Sequence, residues 1–240
     1  MTHHDAQQHL PRAAGANGRY CVVLPAYNAA KTIGPLVQSI KSQGLPVVVV
    51  DDGSTDNTAA IAAQHGALVI SHLRNQGKGR ALRTGFEHAL RATYEAVVTM
   101  DSDGQHHPED IPKFIQAAER QHAGIVVGNR MGSAVMPFMR RHTNRVMSRL
   151  ISALSRQEIP DSQCGFRLIH REVLATVPLR SRHYEIETEL LLAASRRRWK
   201  TISVPIQATY NNGAVSYIRP LQDTVRFFML LLRFLLNPRT

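Results

Sequence analysis

The 240-residue chain is 43% hydrophobic and 20% charged, a balance that suits one packed α/β domain and excludes a wholly disordered chain. Its formal net charge of +11 calls for a polyanionic partner: nucleic acid, an anionic membrane surface or a phosphorylated substrate. The two cysteines, Cys21 and Cys164, match no zinc or redox spacing and suit a reducing environment, and no apolar run has the length of an export signal or of the roughly 18–20 residues that cross a bilayer.

Residues 1–18, rich in His, Gln, Ala and Gly, have no hydrophobic period and read as a disordered tail. From there strands and helices alternate. Apolar runs at 20–24, 47–50, 67–70, 97–100 and 124–128 predict strands, and helical stretches at 30–42, 56–65, 80–91 and 108–121 lie between them. A further strand-like run covers 201–204, after a helical stretch that ends in Arg196-Arg197-Arg198. Strands apolar on both faces, alternating with helices, predict a mostly parallel α/β sheet covered on both sides. In such sheets ligands bind beyond the carboxyl ends of the strands, where the strand order reverses. The polar loops that follow strands would therefore share one edge. They hold Tyr27, Asn28, Asp51, Asp52, Lys78, Asp101, Asp103 and Arg130.

The sharpest of these loops is Met100-Asp101-Ser102-Asp103-Gly104-Gln105-His106-His107-Pro108. In extended backbone, alternate side chains share a face about 7 Å apart, so Asp101 and Asp103 would point the same way and repel. A hard divalent cation such as magnesium or manganese relieves that repulsion, commonly by linking carboxylates to a substrate phosphate. With Asp51, Asp52, Lys78 and Arg130 on the same edge, the pattern suits a metal-chelated sugar diphosphate. Asp52 would accept hydrogen bonds from a base or ribose. Gly77-Lys78-Gly79 lacks the spacing of an ATPase phosphate loop and has no Ser or Thr after the lysine.

Five motifs in fixed order carry a family resemblance: Pro25-Ala26-Tyr27-Asn28, Val50-Asp51-Asp52-Gly53-Ser54-Thr55-Asp56, Asn75-Gln76-Gly77-Lys78-Gly79, Asp101-Ser102-Asp103-Gly104-Gln105 and Gln163-Cys164-Gly165-Phe166-Arg167. Over about residues 20–220 the chain resembles family 2 glycosyltransferases of the GT-A fold, and among them the polyprenyl-phosphate (dolichol-phosphate) mannose or glucose synthases. The resemblance implies a Rossmann-like, mostly parallel sheet in one domain over 19–220. It also implies a divalent metal, Mg or Mn, and inverting transfer of one hexose from a nucleoside-diphosphate sugar to a polyprenyl phosphate.

Residue by residue, Pro25, Tyr27 and Asp52 match the family's base-holding positions, and Asp51, Lys78 and Ser102 would line the nucleotide sugar with them. Asp101 and Asp103 match the metal-binding pair, with Gln105 as a further metal ligand and Asp103 as a catalytic residue. Arg130 and Arg167 match catalytic arginines near the donor and acceptor phosphates, and Arg141 and Arg219 would join them on the acceptor phosphate. Two departures stand out. Ala29 replaces the usual Glu after Tyr-Asn, and the segment around Tyr210-Asn211-Asn212-Gly213 lacks the closing-loop pattern, keeping Ser216 and Arg219 as counterparts.

Residues 130–157 contain no acidic side chain, and Arg141, Arg145 and Arg149 recur every fourth residue beside Val146, Met147, Leu150, Ile151 and Leu154. That is an amphipathic helix with a basic edge. The segment 221–240 is apolar nearly all round between Arg226 and Arg239, too short to span, and suits a membrane interface. The expectation is a protein lying on the cytoplasmic face of the membrane. An acceptor phosphate is already an anionic nucleophile and needs no general base; for a hydroxyl acceptor, Glu185, Glu187 and Asp161 are candidate bases. The basic residues lack interleaved aromatics, so nucleic acid is not the expected partner.

Overall fold

Valine-rich runs too short for helices and apolar on both faces form the centre of the sheet. In the computed structural model, which describes residues 19–133, 136–209 and 220–236, the chain begins with β1 (Tyr20–Ala26), α1 (Ile33–Ser42), β2 (Val47–Asp51), α2 (Thr58–Gln64), β3 (Leu68–Ser71) and α3 (Lys78–Arg91). It continues through β4 (Ala96–Thr99), a 3₁₀ turn at Pro108–Asp110, α4 (Ile111–Gln121), β5 (Ile125–Asn129) and α5 (Phe138–Ser155). It closes with β6 (Arg167–His170), α6 (Arg171–Thr176), α7 (Ile186–Arg196), β7 (Thr201–Pro205) and α8 (Pro220–Leu236). All five predicted strands occur within two residues of their expected bounds.

The seven strands are ordered β3-β2-β1-β4-β6-β5-β7. Every pairing is parallel except those of β6, which runs antiparallel to both β4 and β5. This four-residue strand was absent from the predicted series. It starts on an arginine and passes directly into α6, leaving too little chain to show a period.

Helix α1 buries Ile33, Leu36, Val37 and Ile40, the i, i+3, i+4, i+7 spacing of one helical face. Phe114 of α4 stacks on Phe166 with ring centroids 4.2 Å apart, and both rings are fully buried. Burying each such ring is worth about 1.5–3 kcal/mol. Helix α8 inserts Phe227 and Leu231 one turn apart into the core and touches α7, which also touches α5.

Candidate active site

The winding of the sheet reverses between β1 and β4. Strands β2 and β3 lie to one side of them and β6, β5 and β7 to the other, so the loops that leave β1 and β4 diverge and open a crevice. Pro25 sits at its floor. The last bond between β1 and β4 runs from Met100 N–H to the Val23 carbonyl, so Pro25, which has no N–H to donate, lies just beyond the ladder and leaves no donor unpaired. The strand therefore continues through it to Ala26, paired with β2 alone.

The rim beyond Ala26 is tied down by the loop after β2. Asn28, in the left-handed region at φ 51°, donates its N–H to Ser54 Oγ, and its Oδ1 accepts from Thr55 N–H. Ala29 and Ala30 donate to Thr58 Oγ1 and Asp56 Oδ2. Tyr27 is held half-buried beside this loop. Asp51 Oδ1 accepts from Ser54 N–H, so this carboxylate stays at the strand end. Asp52, expected on a base or ribose, turns inward instead. It is 3% exposed, meets His72 Nδ1 at 2.6 Å and accepts from the N–H groups of Gln76 and Gly77. Its charge holds the loop that carries Lys78. Gly77 is required in that loop, because its φ is 95° and a Cβ would lie 2.5 Å from the Arg182 carbonyl oxygen.

Lys78, the first residue of α3, reaches the acidic pair. Its Nζ is 2.5 Å from Asp101 Oδ1 and 2.8 Å from Glu187 Oε1, and lies over the Tyr184 ring. Burial works against the ammonium charge, and Asp101 and Glu187 outweigh it, so the Lys78 pKa is raised. Burial likewise opposes the charge on Asp101, but Lys78 and His106 hold its carboxyl well below the usual range. Asp103 goes the other way: burial and then the charge of Asp101 raise its pKa.

The loop between these carboxylates is pinned at both ends. Thr32 Oγ1 donates to the Ser102 carbonyl at 2.6 Å, and Gln105 N–H donates to Asp103 Oδ1 at 3.0 Å. Gly165 packs flat against Asp101, where a Cβ would fall 2.5 Å from Oδ2, and Thr99 Oγ1 fixes it by donating to its carbonyl. His106 is buried against Phe166, with Nε2 3.7 Å from Asp101 Oδ2. The two carboxylates are hard oxygen donors, one of them destabilised by the other, and this donor set fits magnesium or manganese. Among the described residues no third His, Cys, Asp or Glu completes a metal site, so water and phosphate oxygens would supply the remaining ligands.

The arginines expected on phosphate point elsewhere. Arg130 is 6% exposed, and its Nε and Nη2 donate to Asp161 Oδ2 and Oδ1 at 2.8 and 3.0 Å. Arg130 N–H and Asn144 Nδ2 bind the same carboxylate. Arg130 and burial contend over Asp161, and the arginine wins, so that carboxyl is lowered and is no candidate base. Arg167 is 1% exposed and donates to the carbonyls of Cys164, Ser162 and Glu187. It knits β6 to α7. Arg141 is half-buried and donates from Nη2 to the Ser133 carbonyl, while its Nε has no partner among the described residues. Arg219 and Ser216 lie outside the described residues.

Sequence reasoning missed Glu187 as the second partner of Lys78. It placed Glu187 among the candidate bases, and the residue stands in the first turn of α7. The contact joins positions 109 residues apart, for which no local signal exists.

The two apolar-and-basic segments both expose greasy surface. Helix α5 turns Asn144, Ser148, Ile151 and Ser155 inward, so its protein-facing stripe is mostly polar. Phe138 and Met139 are 79% and 72% exposed, and Val146 and Leu150 join them beside the exposed Arg140, Arg145 and Arg149. Helix α8 exposes Val225, Phe228, Met229, Leu232, Leu235 and Leu236. No helix among the described residues is long and apolar enough to cross a membrane.

A mostly parallel sheet with an Asp-x-Asp pair at its switch point is an α/β fold of the GT-A type. Residues 21–177 match the family described as Glycosyl transferase family 2, and the chain belongs to it as a glycosyltransferase. It is 30% identical over 219 residues to a UDP-N-acetylglucosamine–dolichyl-phosphate N-acetylglucosaminyltransferase of Methanococcus voltae, over 81% of this chain and 87% of that one. It is also 30% identical over 224 residues to the polyprenol monophosphomannose synthase of Mycolicibacterium smegmatis, covering 86% and 83% of the two chains. Among solved structures, glucosyl-3-phosphoglycerate synthase from Mycobacterium tuberculosis in complex with Mn2+, uridine diphosphate and phosphoglyceric acid matches 91% of this chain and 78% of its own, with a TM-score of 0.68 and 26% identity.

Proposed function

We propose that this enzyme transfers one hexose, with inversion, from a nucleoside-diphosphate sugar of the GDP-mannose or UDP-glucose type to a polyprenyl phosphate at the cytoplasmic face of the membrane. The observation that carries the reading is the crevice between β1 and β4, where Asp101 and Asp103 stand together with one lysine held against them. Asp101, Asp103 and Gln105 would hold a divalent cation. When bound, that cation neutralises the donor diphosphate and stabilises the departing nucleoside diphosphate as a Lewis acid. Pro25, Tyr27 and Asp51 form the floor and rim for the base and ribose, and Lys78 and Ser102 lie along the diphosphate.

The two exposed helices support the acceptor class. Apolar side chains interleaved with arginine on α5, and the apolar outer face of α8, suit a headgroup layer with acyl chains beneath it. The names of the Methanococcus and Mycolicibacterium relatives, a dolichyl-phosphate and a polyprenol enzyme, support a lipid phosphate. Such an acceptor attacks directly through an anionic oxygen. The enzyme then has to orient it and offset its charge, for which Arg141 and Arg219 are the candidates.

A second reading, transfer to a hydroxyl, is favoured by one observation: the solved glucosyl-3-phosphoglycerate synthase carries phosphoglyceric acid, a hydroxyl-bearing acceptor. Glu185, whose Oε2 is buried with no partner among the described residues, is the carboxylate that this reading would use as base. Purified protein with Mn2+ or Mg2+, assayed over a panel of nucleotide sugars against polyprenyl phosphates, polyprenols and glycolipids, separates the two. Transfer is expected to the lipid phosphates alone, giving a glycosyl phosphate of opposite anomeric configuration to the donor. Transfer confined to hydroxyl acceptors, or neither transfer nor donor hydrolysis, overturns the proposal.

A further inference from the structure

Lys78 sets a positive charge on one oxygen of a carboxylate that a metal would use. Its Nζ is 2.5 Å from Asp101 Oδ1, and the side chain is 16% exposed, so this is no loose surface pair. Glu187, whose side chain is 8% exposed, gives the same ammonium a second anchor at 2.8 Å. The start of α3 is fixed from both sides: Gly77 N–H is held by Asp52 at 2.7 Å, and the Arg182 carbonyl packs against Gly77 and Gly79. The backbone is thus immobilised, while the four-carbon stem of Lys78 remains free to turn about its own bonds. A divalent cation at about 2.0–2.2 Å from an Asp101 oxygen would sit against that ammonium in a poorly screened site. Two cations cannot share that carboxylate cheaply. A diphosphate resolves the conflict, because it supplies further anionic oxygens and can take the lysine onto itself.

We propose that Lys78 stands in for the cation on Asp101 until a nucleoside diphosphate arrives, so that metal and nucleotide bind together and the free enzyme has little affinity for metal alone. The proposal rests on the reading that Asp101 and Asp103 carry the metal beneath the donor diphosphate. It assigns Lys78 a role in binding order besides contact with phosphate, and Glu187 the role of holding Lys78 in reach.

The test is titration of the full chain with MnCl2, followed by calorimetry and by the electron paramagnetic resonance of free Mn2+, with and without GDP or UDP. Lys78→Met alone would strand Glu187 as a buried, unpaired charge, so the informative variant is the double substitution Lys78→Met/Glu187→Gln. It has the same net charge as the wild type, which removes any general charge effect. Wild type is expected to bind Mn2+ weakly alone and at least about tenfold more tightly with the matching nucleotide. The double variant is expected to bind Mn2+ alone at least about tenfold more tightly than wild type, and to lose most of the gain from nucleotide. If wild type shows the nucleotide effect but the double variant binds Mn2+ alone no better than wild type, the Lys78 proposal is overturned while the metal site stands. If wild type binds no Mn2+ with any nucleoside diphosphate, the metal reading falls and takes this proposal with it.

Discussion

Asp161 with Arg130, and Asp101 with Lys78, are both carboxylates joined to a cation at the carboxyl edge of one sheet, yet they differ in how fully each is satisfied. Asp161 is 0% exposed and accepts four hydrogen bonds, two at each oxygen, from Arg130 and Asn144. Nothing is left for a ligand. Asp101 opens on the crevice, shares its lysine with Glu187, and has beside it Asp103, a carboxyl that burial and then the charge of Asp101 make harder to ionise. A closed network of this kind stabilises a fold, whereas an acidic centre short of positive charge is poised to take a cation. Both arginine and lysine were expected on phosphate, and the geometry separates them.

The contrast makes its largest prediction at Asp103. Asp103→Asn should lower kcat/KM by about 10⁴-fold, or ~5.5 kcal/mol, and abolish metal-dependent donor binding in calorimetry while leaving the fold as stable as before. Unchanged metal-dependent binding would move the cation away from this residue. Next in size is Arg130→Met, which leaves Asp161 uncompensated in the interior and should cost about 3–5 kcal/mol in chemical denaturation. Full stability with lost transfer would show that Arg130 reaches substrate, and the distinction between the two clusters would collapse.

A smaller effect belongs to α5, whose polar inner face and greasy basic outer face repeat the contrast within one helix. Arg145→Gln and Arg149→Gln should each weaken binding to anionic vesicles by about 1 kcal/mol at low salt, read by co-sedimentation. An equal loss of binding to oligonucleotides would instead favour a nucleic-acid surface. The smallest effect is a pH dependence. Because Arg130 lowers the Asp161 pKa in the fold, the pair stabilises fully above the ordinary aspartate range, and that contribution fades as pH falls through the lowered value. The stability gap between wild type and Asp161→Asn should therefore be widest near neutrality and shrink below about pH 4. A gap that is constant with pH would mean that Asp161 is not held as the anion.

Much of the architecture was legible beforehand. Four of the five predicted strands follow valine- or isoleucine-rich runs such as 47–50 and 125–127, where burial on both faces leaves little choice but a central strand. The motif order located the crevice, because in a parallel sheet every loop after a strand emerges on one edge. Strand β6 was not legible, since four residues beginning with arginine carry no usable period and its antiparallel pairing depends on two strands already in place. The inward partners of Asp52 were not legible for a related reason. Its neighbours in sequence suggested a ligand contact, while its partners His72, Gln76 and Gly77 lie 20 to 25 residues away.

By itself, then, the sequence determined the alternation of strands and helices, the parallel sense of most of the sheet, and the placing of an acidic pair at the end of β4. These follow from hydrophobic period and turn chemistry, which act over a few residues. Only the tertiary structure decided which charges are spent inside the protein and which remain open to a ligand. Neutralisation depends on distance and burial: Arg130 finds Asp161 31 positions away and Lys78 finds Glu187 109 positions away. No local pattern records such pairings, because the sheet brings the partners together only after it has formed.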